Sequence, residues 1–337
     1  MDVTTLLSGL NPAQQQAVTS DSRHLLVLAG AGSGKTRVII ERMAWLVEEQ
    51  GLDPRFILAL TFTNKAATEM RSRVEGLVGP VAQRMWVSTF HSACVRILRR
   101  EAKAIGYPSS FTIYDHADAV RLTSYVLRDL NIDSKRNPPR SVHSSISAAK
   151  NEGLTAAEFL AAADSTHERR IGEVFVEYQR RLKAAGAMDF DDLLSVTVQL
   201  FKSNPDVLET WQRRFEYILV DEYQDPNPVQ NELVLLLASA ACNVCVVGDA
   251  DQSIYRFRKA DIRNILEFEN AFPQATTVVL EQNYRATQNI LDAANAVIDN
   301  NPGRPAKQLW TEQGPGEKIV RYHAEDETDE ATWVANR

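Results

Sequence analysis

Short apolar runs alternate along the chain with longer stretches in which apolar residues recur every three or four positions. The runs are Leu25–Leu28, Phe56–Thr61, Met85–Ser88, Tyr217–Val220, Asn243–Val247 and Thr277–Leu280. Runs of this length with little internal alternation read as strands covered on both faces. Between them the spacing changes to that of helices. Lys65–Val78 carries Ala66, Met70, Val74 and Leu77 on one stripe, and Arg37–Glu49 has apolar residues at 39, 43, 46 and 47. Strands alternating with amphipathic helices predict an α/β fold: a parallel sheet with helices on both faces.

The stretch from about 104 to 188 departs from this rhythm. It predicts helices at Ala117–Leu130, Thr155–Ala163 and Arg169–Ala184, the last with Ile171, Val174, Phe175, Tyr178 and Leu182 on one side. Lys135–Arg140 reads as a basic, proline-containing loop. A helical block interrupts the sheet domain here, which is tolerated where the ends of an insertion lie close together. A third region follows about residue 288. It predicts a helix at Gln288–Asn300, a Pro/Gly stretch Asn301–Pro315, a strand Lys318–Tyr322 and an acidic tail, Glu325–Ala335, that opens as a helix. The chain stops at Arg337 without a cap signal, as expected of a fragment. The expected division is 1–103 plus 189–287 for the sheet domain, 104–188 for the inserted helical domain and 288–337 for the start of another domain.

At 337 residues the chain is long enough for two domains, or one with a large insertion. With 44% hydrophobic and 24% charged residues it has the composition of a globular protein, and no stretch approaches the roughly 20 apolar residues of a membrane span. No basic-plus-apolar signal segment opens the sequence. Three cysteines cannot build a disulfide framework. Cys242 and Cys245 have a C-x-x-C spacing without a second pair, so both are expected as buried strand thiols rather than metal ligands. These features predict a cytoplasmic protein without membrane partners. The net charge of −7 decides nothing about nucleic acid, since an acidic protein can hold a basic groove.

The chemistry begins where the first run ends. Ala29–Thr36 reads Ala-Gly-Ala-Gly-Ser-Gly-Lys-Thr, a glycine-rich turn between strand and helix. Successive backbone N–H groups of such a turn, here from Ala31, Gly32, Ser33 and Gly34, can hold nucleotide phosphates. Lys35 can reach the outer phosphates and the Thr36 hydroxyl can bind Mg²⁺. The usual pattern has Gly at position 29, where this chain has Ala. The run Tyr217–Val220 ends in Asp221-Glu222. Asp221 can hold Mg²⁺ through water, and Glu222 can orient and deprotonate an attacking water. The run Asn243–Val247 leads into Gly248-Asp249-Ala250-Asp251-Gln252. The amide of Gln252 can sense a γ-phosphate or its water without adding like charge, although a turn or helix-cap role would suit the same residue.

Together these motifs resemble superfamily 1A DNA helicases of the UvrD/PcrA/Rep kind over essentially the whole chain. Leu10-Asn11-x-x-Gln14 resembles the family's adenine-recognising glutamine motif, and Ala in the first P-loop position is usual there. Thr61–Ala67 and Ser88–His91 resemble its single-strand DNA motifs. Asp189–Leu193 resembles the return from the helical insertion, and Val220–Asp225 the hydrolysis motif. Gly248–Tyr255 resembles the coupling motif, and Gln282–Arg285 the motif opening the far side of the nucleotide cleft. The implied fold is a RecA-like P-loop NTPase sheet with an inserted all-helical subdomain and the start of a second RecA-like domain.

The resemblance implies ATP and Mg²⁺ as cofactors, with Gln14 reading the adenine edge, Tyr284 stacking on the base and Arg37 close by. Lys35, Thr36 and Asp221 would hold the triphosphate and metal, Glu222 would activate water, and Gln252 and Arg285 would sense the γ-phosphate. Single-stranded DNA and single/double-strand junctions are the implied substrates. Phe62, His91, Tyr255 and Phe257 are candidates for stacking on bases, with Asn64, Lys65, Thr89 and Arg258 beside them. His91 could equally be a hydrogen-bonded residue at a helix start. Translocation 3′ to 5′, DNA-repair partners and a bacterial cytoplasm follow from the resemblance alone. Where the family has Gly after the coupling aromatic and Arg, this chain has Lys259; if that position needs positive φ, Lys costs about 1 kcal/mol or more. Later family motifs, including a second arginine, are absent, so the chain alone is expected to show little or no turnover. Rival readings are a nucleotide-gated DNA-binding module, a recombination helicase–nuclease subunit and, least well matched, a P-loop kinase.

Overall fold

The computed structural model describes residues 6–238, 242–255, 259–301 and 307–337. Six strands form one parallel sheet: β1 (His24–Ala29), β2 (Ile57–Thr61), β3 (Trp86–Thr89), β6 (Tyr217–Val220), β7 (Asn243–Gly248) and β8 (Thr276–Leu280), in the order β3-β2-β6-β7-β1-β8. β4 (Thr112–Tyr114) and β5 (Ala187–Asp189) pair in parallel as a separate two-stranded ribbon.

Side-chain alternation divides each main strand between two cores. Leu26, Leu28, Leu58, Leu60, Val244 and Val246 face a layer that includes helices Phe90–Glu101, Asp192–Ser203 and Pro228–Leu237. Leu25, Val27, Ala29, Ile57, Ala59, Cys245 and Val247 face the opposite layer, with helices Pro12–Thr19, Lys35–Glu48 and Asn64–Val78. Burial on both faces explains the uninterrupted apolar runs. All three cysteines are buried free thiols; Cys245 lies in β7 as expected, whereas Cys242 lies one residue before that strand. Among the described residues no helix is long and apolar enough to cross a membrane.

Between β3 and β6 the chain leaves the sheet. Helices His116–Asp129, Pro139–Asn151 and Thr166–Ala184 enclose a third core around Val126, Ile146, Phe175 and Tyr178. The block is fastened at its base by charge. Lys150 Nζ lies 2.7 Å from Asp189 and 2.8 Å from Asp192, all three side chains being buried. Tyr178 donates to the same Asp189 oxygen at 2.8 Å. Burial works against the Lys150 charge, but the two carboxylates outweigh it and raise its pKa; Asp189 is lowered despite burial because Lys150 and Tyr178 stabilise its anion.

Two expectations need correcting. Lys318–Tyr322 is not a strand: among the described residues no neighbouring strand lies beside it, and Ile319 and Val320 are exposed. Beyond β8, among the described residues, the pairing is a single parallel bridge from Gln282 to Trp310. The basic loop Lys135–Arg140 ends early, because Pro139 starts a helix running to Asn151. Proline suits the first helical position, where its missing N–H has no partner to lose.

Candidate nucleotide site and nucleic-acid face

Because the six strands are parallel, the segments following them all emerge on one edge of the sheet, where open α/β sheets bind ligands. The turn after β1 uses positive φ at Gly32 (69°) and Gly34 (91°). At Gly32 a Cβ would lie 2.6 Å from the Asn283 amide and at Gly34 one would lie 2.8 Å from that of Gln14, so both positions also need the space. Helix Lys35–Glu48 begins with no side-chain cap. Its first N–H groups are therefore available to an anion, together with the positive end of the helix dipole.

A cavity of about 670 Å³ opens over this turn. Ala31, Gly32, Gly34, Lys35, Thr36 and Arg37 line one side; Asp221, Glu222, Gln252 and Arg285 line the other. Ser33 instead turns inward, its hydroxyl donating to the Gly30 carbonyl at 2.8 Å. Thr36 and Asp221 supply one hydroxyl and one carboxylate. That donor set suits Mg²⁺, which keeps waters and phosphate oxygens as its other ligands. Among the described residues no cluster of three or more His, Cys, Asp or Glu forms a protein cage for a metal. Burial first, and then neighbouring Glu222, push Asp221 up to about 7. A cation placed there would reverse that preference.

Glu222 has φ 52°, a left-handed conformation that a non-glycine residue adopts at a cost and that clusters at functional sites. Its Oε2 lies 3.5 Å from Lys35 Nζ and accepts the Gln224 amide at 2.8 Å. Gln224 Oε1 in turn accepts the Asp249 N–H at 2.9 Å. Gln252 donates its amide to Asp249 at 2.5 Å, which commits that nitrogen and leaves the carbonyl oxygen as its acceptor.

The far side is held by Asn283. Its amide donates to the Ala31 carbonyl at 2.5 Å, and its oxygen accepts the Arg285 N–H at 2.7 Å. The Tyr284 N–H donates to Gly32 O at 3.0 Å. Arg285 is thereby placed by the P-loop itself. Tyr284 is 47% exposed, a free face suited to a base, and its hydroxyl accepts from Asn11 at 2.8 Å. Gln14, expected at the adenine edge, does not line the cavity. It is 1% exposed, accepts the Asn11 N–H at 3.0 Å and donates to Ser33 O at 2.9 Å, so it fastens helix Pro12–Thr19 to the P-loop. Arg37 pairs with Glu41 at 3.7 Å.

Phe62 separates this cavity from a second one of about 540 Å³, lined also by His91, His143, Phe190, Asn151 and Lys259. Phe62 stacks on Tyr255 at 5.5 Å between ring centroids. His91 lies 4.5 Å from Phe190, a 57% exposed ring whose stacking potential was missed because it sits in an acidic stretch. Burial pushes His91 down to about 4, so its ring is neutral at pH 7. Asn64 and Lys65 are exposed on the first turn of helix Asn64–Val78. Thr89 is largely internal: its hydroxyl caps helix Phe90–Glu101 by accepting the Ser92 N–H at 3.3 Å. Phe257 and Arg258 lie outside the described residues. Lys259 has φ 63°, so the position does use the left-handed conformation for which glycine is suited, and its ammonium pairs with Glu152 at 2.6 Å.

Residues 10–273 match the UvrD/REP helicase N-terminal domain, and residues 278–337 the UvrD-like helicase C-terminal domain. The chain is 51% identical over 332 residues to the ATP-dependent DNA helicase PcrA of Bacillus subtilis, covering 98% of this chain and 45% of that protein. It is 52% identical over 341 residues to the ATP-dependent DNA helicase UvrD1 of Mycobacterium tuberculosis, covering 98% and 44%. The chain thus spans about half the length of the curated relatives it matches. With the match running through every strand of the sheet and across the inserted helices, the chain belongs to the UvrD/REP helicase family.

Proposed function

We propose that this chain is the nucleotide-hydrolysing and strand-gripping half of an ATP-dependent DNA helicase. The observation that carries the reading is the convergence of Lys35, Thr36, Asp221, Glu222, Gln252 and Arg285 on one cavity, with Phe62 joining it to an aromatic-lined neighbour. The proposed domains are 1–103 plus 189–287, 104–188 and 288–337.

The P-loop N–H groups and Lys35 hold the triphosphate, and Arg37 and Tyr284 take the base, with Gln14 bracing the P-loop beside it through Ser33. Thr36 and Asp221 would hold Mg²⁺, which would neutralise phosphate charge. Glu222 takes a proton from the attacking water while the Gln252 carbonyl accepts its other hydrogen. Arg285 stabilises charge developing on the transferred phosphoryl group. Single-stranded DNA passes over Phe62, His91, Phe190 and Tyr255, with Asn64, Lys65, Phe257 and Arg258 alongside; stacking accepts any base. Junction DNA, 3′ to 5′ movement, repair partners and a place in the bacterial cytoplasm rest on the family resemblance. Turnover is assigned to the full-length protein, and the chain alone is expected to bind nucleotide with hydrolysis near background.

Titration of this chain with a fluorescent ATP analogue and Mg²⁺ tests the reading. Binding that Lys35→Ala removes is expected. Equal affinity in the variant would overturn it.

A further inference from the structure

Lys307 belongs to none of the motifs that build the cavity, yet its side chain is only 7% exposed and is committed to two acids of the segment after β7. Its ammonium pairs with Asp249, and with Asp251 at 2.5 Å. Asp249 is 2% exposed and is the hub of the arrangement. One carboxylate oxygen takes Lys307 and the Asp251 N–H at 3.0 Å; the other takes the Gln252 amide at 2.5 Å. The Asp249 N–H continues to Gln224 at 2.9 Å, and Gln224 to Glu222 at 2.8 Å. A hydrogen-bonded chain therefore runs from a residue beyond β8 to both groups assigned to the attacking water.

Lys307 is itself the tip of an anchored arm. Gln308 N–H donates to Glu281 at 2.8 Å, and Leu309 exchanges hydrogen bonds with Asn295 at 2.9 and 3.2 Å, tying the arm to helix Gln288–Ile298. Leu309 also rests on the P-loop, where a Cβ at Gly30 would meet it at 2.1 Å. Without the ammonium, the buried Asp249 carboxylate beside Asp251 would lose the cation that pairs with it. It would turn toward other donors, and its hold on the Gln252 amide would loosen. The orientation of that amide decides whether an oxygen or an N–H faces the water.

We propose that Lys307 is a positioning residue: by holding Asp249 it fixes Gln252, and it makes that geometry depend on where the region after β8 sits. The inference rests on the proposed ATPase reading and adds a regulatory contact to the same site.

The test uses steady-state ATP hydrolysis by the full-length protein. Lys307→Met should lower kcat about 10- to 100-fold, the scale of a small misplacement at a reacting centre. KM should change little, the melting temperature should fall as it does when a buried ion pair is broken on one side, and Lys307→Arg should restore most of the rate. In the double variant with Gln252→Ala, Lys307→Met should add no further loss, since both act through one group. A wild-type kcat in Lys307→Met, an additive loss in the double variant, or a joint fall of kcat and melting temperature that Lys307→Arg does not rescue would overturn the inference. Should Lys307→Met fail to fold, Lys307→Gln is read through the same cycle. Lys35→Ala separates the two readings. If it keeps nucleotide affinity the ATPase assignment fails, whereas if it loses affinity while Lys307→Met is normal only the Lys307 inference fails.

Discussion

Glu222 Oε2 stands 3.5 Å from Lys35 Nζ, so the acid assigned to water and the cation assigned to phosphate are each other's ion-pair partners. A triphosphate on the P-loop would draw Lys35 to its own oxygens and leave Glu222 on Gln224, free to take a proton. On the proposed assignment, phosphate arrival would thereby release the base. Asp225 adds to the local charge: burial, then Glu222, push it up to about 6.

Glu222→Gln keeps the shape and removes the base. In the full-length protein it should lower ATP turnover by about 10²–10⁴, the usual range for a general base. Nucleotide affinity should hold or rise, because Lys35 loses a competing anion. Phosphate release and nucleotide titration on the same samples check this; turnover within about twofold of wild type would place the base elsewhere.

His91 supplies a pH test of the face beside Phe62. Its pKa is about 4 in the fold against 6.5 when unperturbed, because burial disfavours the charged ring. The unfolded chain therefore binds more protons between those values, so the contribution of His91 is full above 6.5 and is lost as pH falls toward 4. Urea denaturation between pH 4 and 7 should show a steeper acid-side loss in the wild type than in His91→Gln. Parallel curves would mean that the ring is solvated in the fold.

Lys150→Met should be among the most damaging single changes. It leaves Asp189 and Asp192 facing each other without a cation, and breaking a buried pair in this way costs about 3–5 kcal/mol. Asp192 is already pushed up to about 6 by burial and by Asp189. Adding Asp192→Asn to Lys150→Met should recover part of the loss, since it removes one of the two stranded charges. Chemical denaturation of the three variants decides; a loss below about 1 kcal/mol in Lys150→Met would mean water reaches the cluster.

The sheet was legible because strands buried on both faces leave unbroken apolar runs; Tyr217–Val220 is found with the ends read from its residues. Helix Pro139–Asn151 was not. Its buried face consists of Val142, His143, Ile146, Ala149 and Lys150, so the stripe is broken by polar residues whose burial depends on distant partners. β4 and β5, three residues each, are too short to show a period. Lys318–Tyr322 has the composition of a strand, but a strand needs a neighbour to take its hydrogen bonds. In the site, residues named by local motifs converge on the cavity, whereas Asn11–Tyr284 and Lys307–Asp249 join positions far apart in sequence and carry no local signal. Gln14 shows the same limit: its motif names the residue, while its partner Ser33 comes from the fold.

Lys259 gives a prediction in which two small effects oppose each other. Its φ of 63° places a Cβ in the left-handed region, which costs an L-residue about 1–2 kcal/mol. Glycine would relieve that strain but would add unfolded-state entropy, worth about 0.5–1 kcal/mol against it. It would also remove the ion pair with Glu152, whose two side chains are 43% and 44% exposed, so its worth is at most about 1 kcal/mol. Lys259→Gly should therefore change stability by less than about 1 kcal/mol in either direction. Lys259→Val loses the same ion pair and keeps the strain, with β-branching that fits the left-handed region worse than lysine, so it should fall below both. Glu152→Gln isolates the ion pair and should cost under about 1 kcal/mol. Urea denaturation of the three variants orders them. If Lys259→Gly were much less stable than Lys259→Val, the tether to Glu152 could not be the reason, since both lose it, and the left-handed backbone at 259 would have to be abandoned in solution.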